Sequence, residues 1–191
     1  MRHTVDRDGV NRIMPHVSES ASVTRMLLAS DGSTTVLLEA LLECPLVVLV
    51  ESQQDVSVEE LPDRAVTALG LAPGDPVIER RSALVTPDGV PASMNLVFFA
   101  APPSGWSGSA SDTAPLGKRL REARTRQHRE VLSFGASRWP GDDSGRPCAY
   151  KEYVIACDDG VRLYVLEKFH PDHVEPPADA GLLATAGPDA V

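Results

Sequence analysis

Two Asp-Gly dipeptides, Asp88-Gly89 and Asp159-Gly160, constrain the fold most strongly, because each one separates two short, apolar, β-branched-rich runs. The four runs cover residues 77–86, 92–100, 152–157 and 161–169. Asp-Gly between apolar runs is the strongest short-range signal for a β-hairpin, since a tight hairpin turn needs residues that tolerate positive φ. The chain is therefore predicted to contain two antiparallel hairpins.

Other segments complete the prediction of fold class. Residues 46–50 form a fifth apolar run, so the sheet has five or more strands. Residues 23–29 and 34–43 have helical spacing on either side of an Asp31-Gly32 turn, and residues 115–124 form a third helix with proline in its first turn. Helices and strands grouped in this way predict an α+β fold, with an antiparallel sheet that helices cover on one face.

The length and composition indicate one domain. The chain has 191 residues, of which 42% are hydrophobic and 24% charged, as in an ordinary globular protein. We expect the domain to span residues 21–171, between flexible tails at 1–20 and 172–191 that are rich in charge, proline and glycine. Residues 101–113 and 139–147 are predicted to be surface loops.

The charge and the cysteines exclude several classes of protein. The formal net charge of −9 repels phosphate backbones and anionic lipid, so we expect neither nucleic acid nor membrane as a partner. Three cysteines without CxxC spacing support neither a disulfide framework nor a zinc ribbon. No apolar run is long enough for a signal peptide or a membrane span, which predicts a cytoplasmic location.

Glu167 is the first candidate for chemistry. Alternation along the last strand places it on the same face as Leu163, Val165 and Phe169. A carboxyl group among apolar side chains loses hydration, so it either pairs with a cation or keeps its proton to unusually high pH. Glu167 is therefore predicted to be a general acid or a polar group in a pocket, unless this end of the strand lies in solvent.

Arg80 and Arg81 supply the complementary charge. Arg81 shares a strand face with Ala83 and Val85, whereas Arg80 shares the other face with Leu84, so one guanidinium points toward apolar side chains. Alternation does not decide which one. An arginine on the inner face binds a carboxylate, which is either that of Glu167 or that of a ligand.

Two further clusters predict little chemistry. Residues 118–130 are locally basic but contain no aromatic side chains, which favours a solvated helix face over a phosphate-binding surface. His170 and His173 flank Pro171 and Asp172, yet no third ligand motif accompanies them, so we expect surface residues and no metal site. No glycine-rich phosphate loop is present, and no cofactor is implied.

The order of four motifs resembles the chorismate pyruvate-lyase family over residues 22–171. The motifs are Leu27-Leu-Ala-Ser-Asp-Gly-Ser-Thr-Thr, Arg81 seven residues before Asp88-Gly89, Ala114-Pro-Leu-Gly117, and Leu166-Glu-Lys-Phe169. The resemblance implies a single-domain antiparallel sheet with helices over one face and a ligand pocket between them. It also implies a cofactor-independent enzyme that eliminates pyruvate from chorismate, leaving 4-hydroxybenzoate.

Carried over to this chain, the resemblance assigns roles to four residues. Arg81 matches the arginine that holds the ring carboxylate, and Glu167 matches the acid beside the enolpyruvyl ether, so both are predicted to be catalytic. Leu116 and Gly117 are predicted to bind the substrate carboxylate through main-chain N–H groups. The implied partner is a small-molecule carboxylate, bound by a monomer or a homodimer.

The sequence departs from the family where positive charge is expected. Asn95-Leu96 replaces one arginine position, and Lys151-Glu152 replaces an Arg-Arg pair. These losses leave room for a relative that acts on a different cyclic or aromatic acid. They also leave room for a non-catalytic binding module, because the same fold resembles the effector-sensing domain of some bacterial transcription regulators.

Overall fold

The computed structural model describes residues 19–104, 106, 115–140 and 145–177. Its helices are α1 (Glu19–Ala29), α2 (Thr34–Leu42), α3 (Asp63–Leu69) and α4 (Leu116–Glu122), with one 3₁₀ turn at Val58–Glu60. Its strands are β1 (Val47–Val56), β2 (Val77–Val85), β3 (Pro91–Phe99), β4 (Gln127–Arg138), β5 (Pro147–Cys157) and β6 (Arg162–Phe169). Together they form a single α+β domain.

All six strands belong to one antiparallel sheet in the order β1-β2-β3-β6-β5-β4. The predicted hairpins are confirmed: Gly89 and Gly160 have φ values of 81° and 85°, a backbone conformation that favours glycine. The predicted α+β class with five or more antiparallel strands is therefore also confirmed.

Helices cover the two faces of the sheet unequally. On one face, called here the pocket face, α1, α2 and α4 pack over the sheet through buried residues that include Leu28, Leu38 and Leu120. An ion pair of 2.5 Å between Lys118 and Glu39 joins α4 to α2. The opposite face, the far face, carries only α3 among the described helices, so the expectation that helices pack on one face fails for α3.

The far-face helix α3 is held by packing and by charge. Ala65 is fully buried in a cluster with Phe98 and Tyr164. From the same helix, Arg64 forms an ion pair with the buried carboxylate of Glu152. The small alanine lets the helix approach the sheet, and Arg64 supplies a positive charge to the buried carboxylate of Glu152.

The edge strand β4 corrects the prediction for residues 118–130. The helix ends at Glu122, and an edge strand begins at Gln127. Its residues His128, Arg129 and Glu130 are polar because an edge strand with one side in solvent needs no apolar alternation. Sequence periodicity therefore does not distinguish this strand from a solvated helix.

The ends of the domain extend beyond the predicted limits. Helix α1 begins at Glu19, and Val174 is buried against the core. Thr24 donates a hydrogen bond of 2.8 Å to the carbonyl oxygen of Glu175, which joins α1 to the chain after β6. The rest of the predicted tails, and most of the 101–113 loop, lie outside the described residues.

Candidate ligand-binding site

A cavity lies on the pocket face between the central strands, the start of α2 and the start of α4. Strand alternation brings Arg80, Asn95 and Glu167 to it, from β2, β3 and β6. Asn95 and Glu167 are direct register partners, and their side chains therefore point to the same face. The remaining walls include Val48, Leu84, Trp106, Tyr153, Ile155 and Val165. The cavity therefore combines apolar walls with a few charged groups, as small-molecule sites do.

Glu167 lies at the base of this cavity, 2% exposed. Its carboxyl oxygens accept hydrogen bonds from Ser93 Oγ at 3.1 Å and from Tyr153 Oη at 3.4 Å, and Thr34 is a third hydroxyl partner. Burial raises the pKa of Glu167, and the hydroxyl donors together with the Lys151 charge offset only part of that rise. Hydroxyl groups can rotate, so this cage can satisfy either the protonated or the ionised carboxyl group.

The arginine that lines the same cavity as Glu167 is Arg80, not Arg81. Arg80 is 5% exposed, donates a hydrogen bond of 2.9 Å to Gln53 and places its guanidinium 5.4 Å from the centre of the Trp106 ring. Arg81 points to the far face, where its Nε lies 2.7 Å from Glu79 Oε1. Arg81, to which the resemblance gave the carboxylate-binding role, therefore does not line the cavity that holds Glu167, because β2 presents its even-numbered residues to the pocket face.

Arg129 supplies a second guanidinium that the sequence did not predict. It projects from β4 into the cavity, and no other described residue forms a hydrogen bond or ion pair with it. Its Nη2 atom would lie 3.2 Å from a Cβ built on Gly117, which shows how closely it approaches the start of α4. The sequence predicted a solvated helix for this segment, and that prediction gave Arg129 no role. In the observed strand, Arg129 and Val131 lie on the same face.

Leu116 and Gly117 both line the cavity, as their predicted location requires. A Cβ on Gly117 would come within 3.0 Å of Ser33 Oγ, so glycine permits the close approach of α4 to the start of α2. Ser33, Thr34 and Thr35, which the sequence motif contained without an assigned role, line the same wall. The roles predicted for Leu116 and Gly117 in binding stay predictions.

Leu96, Lys151 and Glu152, at the positions where the resemblance leads one to expect arginine, lie in different environments. Lys151 is 2% exposed, and its ammonium group donates to the carbonyl oxygens of Leu27 and Ser30 at the end of α1. Burial lowers the pKa of Lys151. Leu96 and Glu152 point to the far face. Lys151 thus stabilises a helix end, and Arg129 provides positive charge to the cavity from another strand.

The charges of the cavity favour an anionic ligand. Arg80 and Arg129 are two permanent cations, and the one carboxyl group among the lining residues has a raised pKa.

Within the described ranges, no group of three or more His, Cys, Asp or Glu side chains could hold a metal ion. His170 instead contacts the Trp139 ring edge-on, at 4.9 Å between centroids.

Solved structures of other proteins share this fold. The effector domain of PhnF from Mycobacterium smegmatis is 18% identical, with a TM-score of 0.57 over 75% of this chain and 91% of that one. A longer PhnF structure gives the same identity and TM-score, and this chain covers 67% of it. YydK from Bacillus subtilis, a possible transcriptional regulator, is 9% identical, with a TM-score of 0.54 over 68% of this chain and 60% of that one.

At these identities the comparisons establish a shared fold, the one that the effector domain of PhnF adopts. The chain spans less than two thirds of YydK. No family model matches the chain, and the search of curated proteins found no match. In the part of the chain that the structure describes, no helix is both long and apolar enough to span a bilayer.

Proposed function

We propose that this domain binds a small carboxylic acid in the pocket-face cavity and acts as an effector-sensing domain. The observation that carries the proposal is the Arg129 guanidinium, which lies in the cavity without a partner among the described residues. A guanidinium that is partly removed from water binds a carboxylate through two parallel N–H···O bonds, and a ligand carboxylate would complete this arrangement. The fold shared with the PhnF effector domain supports a sensing role.

The walls of the cavity narrow the class of ligand. Val48, Leu84, Val97, Val165 and Ile155 provide apolar surface beside the two arginines. This combination suits a compact acid with an apolar, ring-sized body more than a free inorganic anion, since the body would bury apolar area as the carboxylate pairs. An aromatic acid such as 4-hydroxybenzoate is the first probe.

Calorimetric titration with 4-hydroxybenzoate tests the proposal. Arg129→Gln should weaken binding about tenfold, because one charge-assisted contact is lost. Arg162→Gln is the matched control, since Arg162 is exposed and does not line the cavity. Equal affinity for both variants and the unchanged protein, or heat too small to measure with any aromatic acid, would contradict the proposal.

Lyase activity on chorismate is the second candidate, and Glu167 is the observation that favours it. A buried carboxyl group that keeps its proton can donate it as the bond between the ring and the enolpyruvyl oxygen breaks. The ring then loses a proton and becomes aromatic, which supplies the driving force, and the released enolpyruvate becomes pyruvate. Arg80 would hold the ring carboxylate in the position first expected of Arg81.

Incubation with chorismate in the presence of a chelator distinguishes the two candidates. A lyase would form 4-hydroxybenzoate and pyruvate in equal amounts, and Glu167→Gln would lower the rate at least about a hundredfold while retaining ligand binding. A sensing domain would bind the aromatic acid and form neither product above the uncatalysed background. The cytoplasmic location and the monomeric or homodimeric state stay predictions in either case.

A further inference from the structure

A second cavity lies on the far face of the sheet, directly behind the first. Strands β2, β3 and β6 line both cavities: Arg80 and Glu167 line the first, and Arg81 and Lys168 line the second. Ser82 and Asn95 line both. Helix α3 covers only part of the far face. The second cavity lies beside Pro62, where the helix does not cover the sheet.

The floor of this second cavity is apolar. It is formed by Met94, Leu96 and Leu166 together with the ring of Tyr164. Leu96 and Leu166 are nearly buried, whereas Met94 is partly exposed. A ligand that displaces water from this surface would gain hydrophobic free energy in proportion to the apolar area it covers.

Two cations lie at the edge of the apolar floor. Lys168 projects from β6 beside Met94, its register partner on β3, and no described residue forms a hydrogen bond or ion pair with its ammonium group. Arg81 uses two N–H groups on Glu79, through contacts of 2.7 and 3.2 Å, and a guanidinium has five. Donors on both side chains are therefore available to an anion.

We propose that this far-face cavity is a second binding site, which takes an apolar molecule bearing one carboxylate. The apolar body lies on Met94, Leu96 and Leu166, and the carboxylate pairs with Lys168 and with the remaining N–H groups of Arg81. Glu51 at the rim would repel a second negative charge on the ligand, which favours a monoanion over a dianion. The site shares Ser82 and Asn95 with the pocket-face cavity, but its charged groups, Lys168 and Arg81, line only the far-face cavity. The proposal does not depend on the function proposed for the pocket face.

Methyl NMR with 2-naphthoate as the probe tests this site. Met94 and Leu166 methyl signals report the far face, and Val97 and Val165 methyl signals report the pocket face. We expect 2-naphthoate to shift the Met94 and Leu166 signals in a saturable manner. The uncharged 2-naphthamide should bind there about tenfold more weakly, because it lacks the charge that pairs with Lys168.

Variants assign the binding to this site. Lys168→Gln should weaken the far-face event about tenfold, and Arg129→Gln, in the other cavity, should leave it unchanged. Both proteins should first show the thermal unfolding transition of the unchanged chain. If only the Val97 and Val165 signals move, or if Lys168→Gln has no effect on the shifts at Met94, the proposal is wrong. Sedimentation showing a dimer that Leu166→Lys dissociates would also overturn it, because a second copy would then cover the face.

Discussion

Replacing Glu167 with glutamine should change how stability depends on pH. Burial raises the pKa of Glu167 in the folded protein above its ordinary value of 4.5, so the folded state holds this proton more tightly than the unfolded state does. The stabilisation is fully present below pH 4.5 and is lost as pH rises toward the folded pKa. Within that window the free energy of unfolding should fall by up to about 1.4 kcal/mol per pH unit because of this one group.

Glutamine has no proton to lose in this range, and its amide can still bond to Ser93, Thr34 and Tyr153. Glu167→Gln should therefore be more stable than the unchanged chain at neutral pH, with an advantage that shrinks to nothing near pH 4.5. Urea denaturation at a series of pH values measures the difference. Glu130→Gln, which replaces an exposed carboxyl group on β4, is the control for the substitution itself. A constant difference between Glu167→Gln and the unchanged chain at all pH values would refute the reasoning.

Two further predictions concern stability and are measured by urea denaturation at neutral pH. Arg64→Ala should lower the free energy of unfolding by about 2 kcal/mol, because it leaves the buried carboxylate of Glu152 without its ion partner. The loss is not larger because Arg64 is half-exposed, so that water can reach the carboxylate in the variant. A loss under about 0.5 kcal/mol would mean that the ion pair is not formed. Gly89→Ala should lower the free energy of unfolding by about 1 kcal/mol, because φ at this position is 81°. No atom lies within 4 Å of the added Cβ, so backbone strain accounts for the whole effect. An alanine variant as stable as the unchanged chain would show that the turn does not adopt this conformation.

Sequence alone predicted the hairpins and the position of Glu167, because turn chemistry and strand alternation are local properties. It could not choose between Arg80 and Arg81, since alternation separates two faces without showing which one the helices cover. The structure resolves the choice through the register of β2 with β3, which aligns Arg80 with Val97 on the pocket face.

Arg129 was missed for a different reason. Its segment is rich in charged residues, and the polar start of the edge strand gives no periodic signal. Lys151 likewise appeared only as the loss of an arginine, because its carbonyl partners at the end of α1 are more than a hundred residues away in the chain. Long-range contacts of this kind are absent from any local pattern.

Binding of 4-hydroxybenzoate to Arg80→Gln and Arg81→Gln tests the central claim most directly, since the two residues are neighbours in sequence and lie on opposite faces of one strand. Isothermal titration calorimetry should show that Arg80→Gln weakens binding at least about tenfold, because a buried guanidinium is lost from the cavity. Arg81→Gln should leave binding in the pocket-face cavity, followed by the Val97 and Val165 methyl signals, as in the unchanged chain, because Arg81 lines only the far-face cavity. The reverse pattern, with Arg81→Gln impaired and Arg80→Gln unaffected, would contradict the assignment of the pocket face as the binding site.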